Sequence, residues 1–71
     1  MFGRCFKVGL RRGDPDAAVY FVAESDPTNA LGILRTELSN NGLDFDDRGA
    51  VTQNLIDALD LRPGQFHRAW P

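Results

Sequence analysis

Residues 2–24, FGRCFKVGLRRGDPDAAVYFVAE, decide the fold because they contain two strand patterns joined by a turn. In residues 2–12, large apolar side chains fall on even positions, and a period of two predicts a half-buried strand. In residues 18–24, aromatic and β-branched residues follow one another, which is typical of a strand that is central or covered on both faces. The apolar positions of the first strand are Phe2, Phe6, Val8 and Leu10.

The segment Gly13-Asp14-Pro15-Asp16 predicts the turn between these strands. Proline fixes the backbone angle φ, and an aspartate side chain accepts hydrogen bonds from nearby backbone N–H groups. The short connection is also compatible with two antiparallel strands. We therefore expect residues 2–24 to form a β-hairpin.

A first helix is predicted to begin at Ser25-Asp26-Pro27, where Asp26 caps the first N–H groups and proline loses no hydrogen bond. The segment Asn40-Asn41-Gly42 tolerates the left-handed backbone that closes a helix. We expect Gly32, which lacks a Cβ, to let this helix sit close to a strand. The apolar residues that recur at helical spacing are Ala30, Leu31, Ile33, Leu34 and Leu38.

Residues 43–47, LDFDD, lead into a second helical pattern. The aspartates near its start suit the positive end of the helix dipole, and the segment Leu61-Arg62-Pro63-Gly64 stops it. Its apolar stripe consists of Val51, Leu55, Ala58 and Leu59. Residues 65–71, QFHRAWP, then form either a third strand beside the hairpin or an extended docked segment, and we favour the strand.

These elements predict a single α+β domain over residues 1–71, in the order ββααβ, with both helices on one face of a small antiparallel sheet. A chain this short buries only about 60% of its unfolded surface. A deep catalytic cleft would compete with the core for the same few apolar residues. We therefore expect an interaction protein rather than an enzyme.

The composition is that of a globular chain: 8 Lys+Arg and 10 Asp+Glu residues give a net charge of −2, and 42% of residues are hydrophobic. There is no apolar run of about 18 residues to predict a membrane span, and the first residues have no signal-peptide pattern. The single cysteine, Cys5, suits a reducing compartment. We expect a soluble cytoplasmic protein without a cofactor or a small-molecule ligand.

Charge is sorted along the chain. Residues 1–12 carry four cationic residues and no acidic one, whereas all ten acidic residues lie within residues 13–60. If the terminal segments share one sheet, this sorting predicts a cationic sheet and an anionic helical layer. Such a molecule steers an anionic partner to one side.

The predicted partner-binding surface combines cations with aromatic rings, a mixture that is enriched at binding hot spots. We expect Lys7 and Arg11 to share a strand face, and Phe66, Arg68 and Trp70 to share a face of the last strand. The whole predicted set is Lys7, Arg11, Arg12, Tyr20, Phe66, Arg68 and Trp70.

Two functions are compatible with this surface. The leading hypothesis is a non-enzymatic module that binds a protein partner or a second copy of itself, through strand addition or a symmetric dimer. The alternative is nucleic-acid binding, with phosphates contacted by the terminal cations and bases stacked on Tyr20 or Trp70. The cations concerned are Lys7, Arg11, Arg12 and Arg68.

Two chemical motifs are considered and rejected. Residues 44–55 invite comparison with a calcium-binding EF-hand loop, but Arg48 stands where an oxygen ligand is needed and Leu55 where the bidentate glutamate is needed. A nucleophilic pair of Cys5 and His67 would need the last strand beside the first, and it has no evident third residue to orient it. We predict no catalytic site and no metal site.

Overall fold

The computed structural model describes residues 3–38 and 42–70, except for the side chain of Trp70. The strands and helices follow one another as β1 (Gly3–Gly9), β2 (Ala18–Val22), α1 (Pro27–Leu38), β3 (Asp44–Val51), α2 (Gln53–Ala58) and β4 (Phe66–Trp70). The strands form one antiparallel sheet in the order β3-β1-β2-β4. The α+β class is confirmed, but the order β-β-α-β-α-β replaces the predicted ββααβ.

The hairpin of β1 and β2 forms as predicted and supplies the middle of the sheet. Its register places Phe6 opposite Tyr20 and Val8 opposite Ala18, and all four side chains are buried. Alternation therefore directs one face of the hairpin into the core. Leu10 follows the end of β1 and is 79% exposed, so the predicted apolar row stops at Val8. Phe2 lies outside the described residues.

Helix α1 begins as predicted and covers this buried face of the hairpin. The backbone N–H of Thr28 donates to Oδ1 of Asp26 over 2.8 Å, which caps the first turn. Ala30 and Leu34 are fully buried against the strands. The predicted role of Gly32 is wrong, because this residue is exposed and a Cβ added there would meet no atom within 4 Å. The predicted end of the helix at Asn40-Asn41 lies outside the described residues.

The segment predicted to lead directly into the second helix instead forms the edge strand β3, Asp44–Val51, which also contains Val51, the first residue of the predicted helical stripe. Phe45 pairs with Val8 and packs against the core, while Asp46 pairs with Lys7. Aspartate is a poor strand former, yet β1 would otherwise leave its outer N–H and C=O groups unpaired, and this pairing outweighs local propensity.

Helix α2 occupies only Gln53–Ala58 and is capped by Thr52, whose hydroxyl accepts from the Leu55 N–H over 3.3 Å. Its buried residue is Ile56, which the predicted stripe omitted. The segment crosses from one sheet edge to the other past the start of β1, where a Cβ on Gly3 would lie 2.7 Å from Cδ1 of Ile56. Among residues 3–38 and 42–70, no helix has the length and apolar character that crossing a membrane requires.

Two glycine-to-alanine substitutions test this packing in opposite directions. Gly32→Ala should raise the free energy of unfolding by about 1 kcal/mol, because alanine is the better helix former and the site is open. Gly3→Ala should lower it by about 2 kcal/mol or more, because the new methyl group meets packed atoms. The closest of them is the Val22 carbonyl oxygen, 2.4 Å from the Cβ position.

Urea unfolding followed by circular dichroism measures both changes on the same chain. A destabilised Gly32→Ala variant would contradict the exposed position of Gly32 on α1. An unchanged Gly3→Ala variant would contradict the packing of α2 against the start of β1.

Candidate functional site

The connection between β1 and β2, residues 10–17, stands between two surface cavities, and Gly9 and Asp14 contribute to the wall of both. The carboxylate of Asp14 organises this connection: it accepts from the Leu10 N–H and from the Asp16 N–H, each over 2.9 Å. These two hydrogen bonds, the one from Leu10 first, lower the pKa of Asp14. The aspartate predicted to stabilise the turn therefore also shapes both cavities.

The first of these, the hairpin cavity, has a volume of about 260 Å³ and lies on the face of the sheet opposite α1. On this face Lys7 of β1 lies between its two register partners, Asp46 of β3 and Val19 of β2. The charged residues that line the cavity are Lys7, Arg11, Arg48, Asp14, Asp44 and Asp46. Their charges balance, because β3 carries aspartates into the sheet that the charge sorting predicted to be cationic.

Lys7 and Arg11 both line the hairpin cavity, although Arg11 lies beyond the end of β1 and does not share its strand face. Neither side chain forms an ion pair with any residue in the described parts of the chain. Arg48, by contrast, pairs with Asp46 over 3.2 Å. Arg12 is exposed next to Arg11. The available cations of the hairpin end are thus Lys7, Arg11 and Arg12.

The second cavity, here called the leucine cavity, has a volume of about 290 Å³ and lies on the side of the sheet that carries α1. Its wall is mostly apolar, and the exposed Leu10 stands at its edge. Asp14 and Asp16 line the side next to the turn, and Arg68 lines the side next to β4. The apolar residues that enclose it are Val8, Leu10, Ala18, Tyr20, Leu38 and Leu43.

Tyr20 belongs to the core rather than to the surface, because only 7% of it is exposed. Its ring packs against Phe66 with 5.8 Å between centroids and 52° between planes, a tilted aromatic pair. Tyr20 is therefore too deeply buried to contact a protein partner or to stack on a nucleic-acid base, the two roles suggested for it by the sequence. Phe66 is half-buried by the same contact.

Strand β4 lies beside β2 at one edge of the sheet. Phe66 is opposite Val22 and Arg68 is opposite Tyr20, but the register shifts before the next pair, Val19 and Trp70. The shift interrupts the alternation on which the shared face of Phe66, Arg68 and Trp70 was predicted. The side chain of Trp70 lies outside the described residues.

An ion pair that the sequence did not reveal joins β1 to β3. Nη2 of Arg4 lies 2.6 Å from Oδ2 of Asp47. Burial raises the pKa of Asp47, but the hydrogen bond from the Gly49 N–H and the guanidinium of Arg4 lower it by more, so the net shift is downward. Arg4 and Asp47 thus pair with each other across the ladder of β1 with β3.

The structure separates the two residues of the rejected nucleophilic pair. Strand β2 lies between the strands that carry Cys5 and His67, with Phe21 paired to both, so about two strand spacings, roughly 10 Å, separate the pair. Burial raises the pKa of the Cys5 thiol, and the cations of Arg48 and Lys7 only partly oppose it. Within residues 3–38 and 42–70, no group of three acidic, histidine or cysteine residues is arranged to hold a metal ion.

Comparison with protein-family models, with curated proteins and with solved structures finds no match to this chain. The candidate site therefore rests on its own geometry: a basic hairpin end, an apolar cavity and an edge strand that carries Arg68.

The Asp14 hydrogen bonds predict a pH-dependent contribution to stability. Because the folded-state pKa lies below the ordinary value of 3.8, the stabilisation is present above that pH and is lost as the pH falls through the folded pKa. Asp14→Ala should therefore unfold at lower urea concentration than the wild-type protein at pH 7, and the difference should vanish in acid.

Asp16→Ala is the matched control, because it removes a neighbouring negative charge whose side chain accepts none of these hydrogen bonds. NMR titration of the Leu10 and Asp16 amide signals gives the folded pKa of Asp14 directly. A pKa at or above the ordinary value would contradict the assigned hydrogen bonds.

Proposed function

We propose that this protein is a non-enzymatic interaction module that binds another protein, or a second copy of itself, by accepting an extended segment at the outer edge of β4. The observation that carries the proposal is the position of β4 at the end of the strand order. An edge strand presents unpaired backbone N–H and C=O groups, and strand addition is a common mode of peptide recognition.

The hydrogen bonds at the start of β4 indicate which groups point outward. The Ala23 N–H donates to the Gln65 carbonyl over 2.8 Å, and the Ala23 carbonyl accepts from the Gly64 N–H over 3.0 Å, so the backbone of Ala23 is hydrogen-bonded to the start of this segment. Hydrogen-bonded and non-hydrogen-bonded pairs alternate along antiparallel strands. The N–H and C=O groups of Phe66 and Arg68 are therefore directed away from β2, toward solvent at the edge.

The other edge, β3, is less suited to strand addition. A register shift interrupts the ladder of β1 with β3, as another interrupts the ladder of β2 with β4, but beside the shift at β3 the backbone of Gly49 has a φ of 107°. The exposed side chains of Asp46 and Arg48 form an ion pair along the strand. Charged side chains along an edge strand are a usual protection against pairing with another chain. We therefore place the partner strand at β4.

Arg68→Pro and Arg68→Ala together test strand addition. Both remove the guanidinium, but only proline removes the outward N–H group, and an outward position on an edge strand tolerates proline. For peptides selected from a random display library on the full chain, Arg68→Pro should abolish binding. Arg68→Ala should retain measurable binding.

His67→Ala is the control, because the side chain of His67 is exposed and its backbone faces β2. Amide NMR spectra show that each variant is folded and locate the bound peptide. Equal binding by Arg68→Pro and the wild-type protein would overturn the proposal, as would peptide-induced shifts confined to elements other than β4. Sedimentation equilibrium of the same variants decides whether a second copy occupies the edge.

Nucleic-acid binding is the second candidate, and the available cations Lys7, Arg11 and Arg12 favour it. Against it, Asp14, Asp44 and Asp46 line the same cavity and would repel phosphate groups. The burial of Tyr20 also removes one of the rings suggested for base stacking. We therefore rank a protein partner first.

A titration with short single- and double-stranded oligonucleotides at low and moderate salt separates the two candidates. If nucleic acid is the ligand, amide shifts should cluster at Lys7, Arg11 and Arg12, and affinity should fall steeply as salt rises. Charge removal in Lys7→Gln should then weaken binding without unfolding the domain. Unchanged spectra for these three residues would exclude this candidate.

A further inference from the structure

We infer that the leucine cavity is a binding site for a small carboxylate with an apolar body, of the kind that a medium-chain fatty acid provides. The apolar body lies among the leucines, and the carboxylate lies on the β4 side, against Arg68 and Tyr20. The inference goes beyond the proposed strand addition and does not rest on it. It uses the side chain of Arg68 inside the cavity, whereas strand addition uses the backbone of Arg68 at the sheet edge.

The leucine cavity has the size and the lining that an apolar body requires. It lies between Leu38, the last residue of α1, and the part of the hairpin that continues beyond β1, and its volume is about 290 Å³. An apolar cavity of about 150 Å³ binds benzene, so a ligand of about ten non-hydrogen atoms fits here. Among residues 3–38 and 42–70, Leu10 is the large apolar side chain left exposed, and such a ligand would remove it from water.

Tyr20 adds to the wall a polar group that has no partner in the described part of the protein. Only 7% of this residue is exposed, yet its hydroxyl forms no hydrogen bond within residues 3–38 and 42–70. Buried tyrosine hydroxyls usually have a hydrogen-bond partner, and an unpaired one is destabilising. A ligand small enough to enter the cavity reaches this hydroxyl, and a carboxylate oxygen would accept its hydrogen bond.

Arg68 supplies a positive charge beside this hydroxyl. It is the register partner of Tyr20 on β4, and it lines the same cavity. Arg68 is exposed and forms no ion pair within the described ranges, and residues 61–71 contain no acidic residue. A guanidinium and a hydroxyl from neighbouring strands therefore both donate to one carboxylate, and such charge-assisted hydrogen bonds are the stronger kind.

The aspartates on the opposite side of the cavity determine the orientation and the charge of the ligand. Asp14 and Asp16 line the side next to the turn. They would repel a carboxylate placed there, and a second carboxylate at the far end of the ligand would meet the same repulsion. The cavity therefore favours a single carboxylate on the β4 side and an uncharged apolar body.

The residues of this site come from distant parts of the chain, so their sequence spacing gave no sign of it. Leu10 follows β1, Tyr20 belongs to β2, Leu38 ends α1 and Arg68 belongs to β4. Only the order of the strands and the position of α1 bring them around one cavity.

Titration of the full chain with octanoate and with octan-1-ol, followed by amide NMR, tests the inference. The two probes have the same number of carbon atoms, and only octanoate is charged. Octanoate should bind with a dissociation constant of about 1 mM or tighter, as expected for a ligand of this size. Its affinity should exceed that of octan-1-ol by about threefold or more. The largest amide shifts should occur around Leu10, Tyr20 and Arg68.

Two substitutions remove the partners of the carboxylate separately. Arg68→Gln removes the charge but keeps the backbone N–H of the edge, and it should abolish the preference for octanoate over octan-1-ol. Tyr20→Phe keeps the ring that packs against Phe66 and removes only the hydroxyl, and it should weaken octanoate binding by about threefold or more. Arg62→Gln is the matched control, because Arg62 is exposed and does not line the cavity.

Leu10→Ser tests the apolar part of the site, and it should leave the fold intact because Leu10 is mostly exposed. It should weaken the binding of both probes by about threefold or more, since it removes apolar surface that either chain would cover. Amide spectra show that each variant is folded.

The outcomes decide this inference independently of the proposed function. Absence of binding, equal affinity of the wild-type protein for both probes, or octanoate binding that neither Arg68→Gln nor Tyr20→Phe changes would overturn it. Loss of the preference in Arg68→Gln, together with weaker binding of both probes to Leu10→Ser, would support it. Strand addition is tested separately by Arg68→Pro, through the backbone.

Discussion

The central position of β1 is the constraint on which the rest of the structure depends. Its seven residues are too few to build a core alone, but pairing on both sides satisfies its backbone and aligns Phe6 and Val8 with apolar partners. Because the backbone groups on the second side of β1 also need hydrogen-bond partners, residues 44–51 pair with β1 as strand β3. That pairing in turn forces α2 to cross the end of the sheet and makes β4 an edge.

The sequence predicted the elements whose signals are local. Alternation identified the hairpin, and Asp26 with Pro27 identified the start of α1. It failed at β3 because aspartates compatible with a helix start also occur on an edge strand, and pairing with β1 is a long-range effect. The alternation of Leu43 and Phe45 with aspartates was the available sign of a strand, and the helical spacing after Val51 obscured it.

The structure brings together only some of the predicted site residues, for similar reasons. Lys7 and Arg11 were predicted to share a strand face, but Arg11 lies beyond the end of β1, and the two residues line one cavity from different parts of the chain. Charge sorting gave no indication that Tyr20 is buried, since a tyrosine in a continuous apolar run faces either side. The ion pair of Arg4 with Asp47 depends on the register of β3 against β1, which sequence spacing does not specify.

The unequal edges of the sheet limit how far association can proceed. Growth of a continuous sheet from copy to copy needs an open edge at each end of every copy, as in a fibre. Here β3 protects one end, because Asp46 and Arg48 form an exposed ion pair along it and Gly49, beside the register shift, has a φ of 107°. The proposed addition at β4 would therefore be a single event that gives a closed pair or a one-to-one complex, and not a propagating sheet.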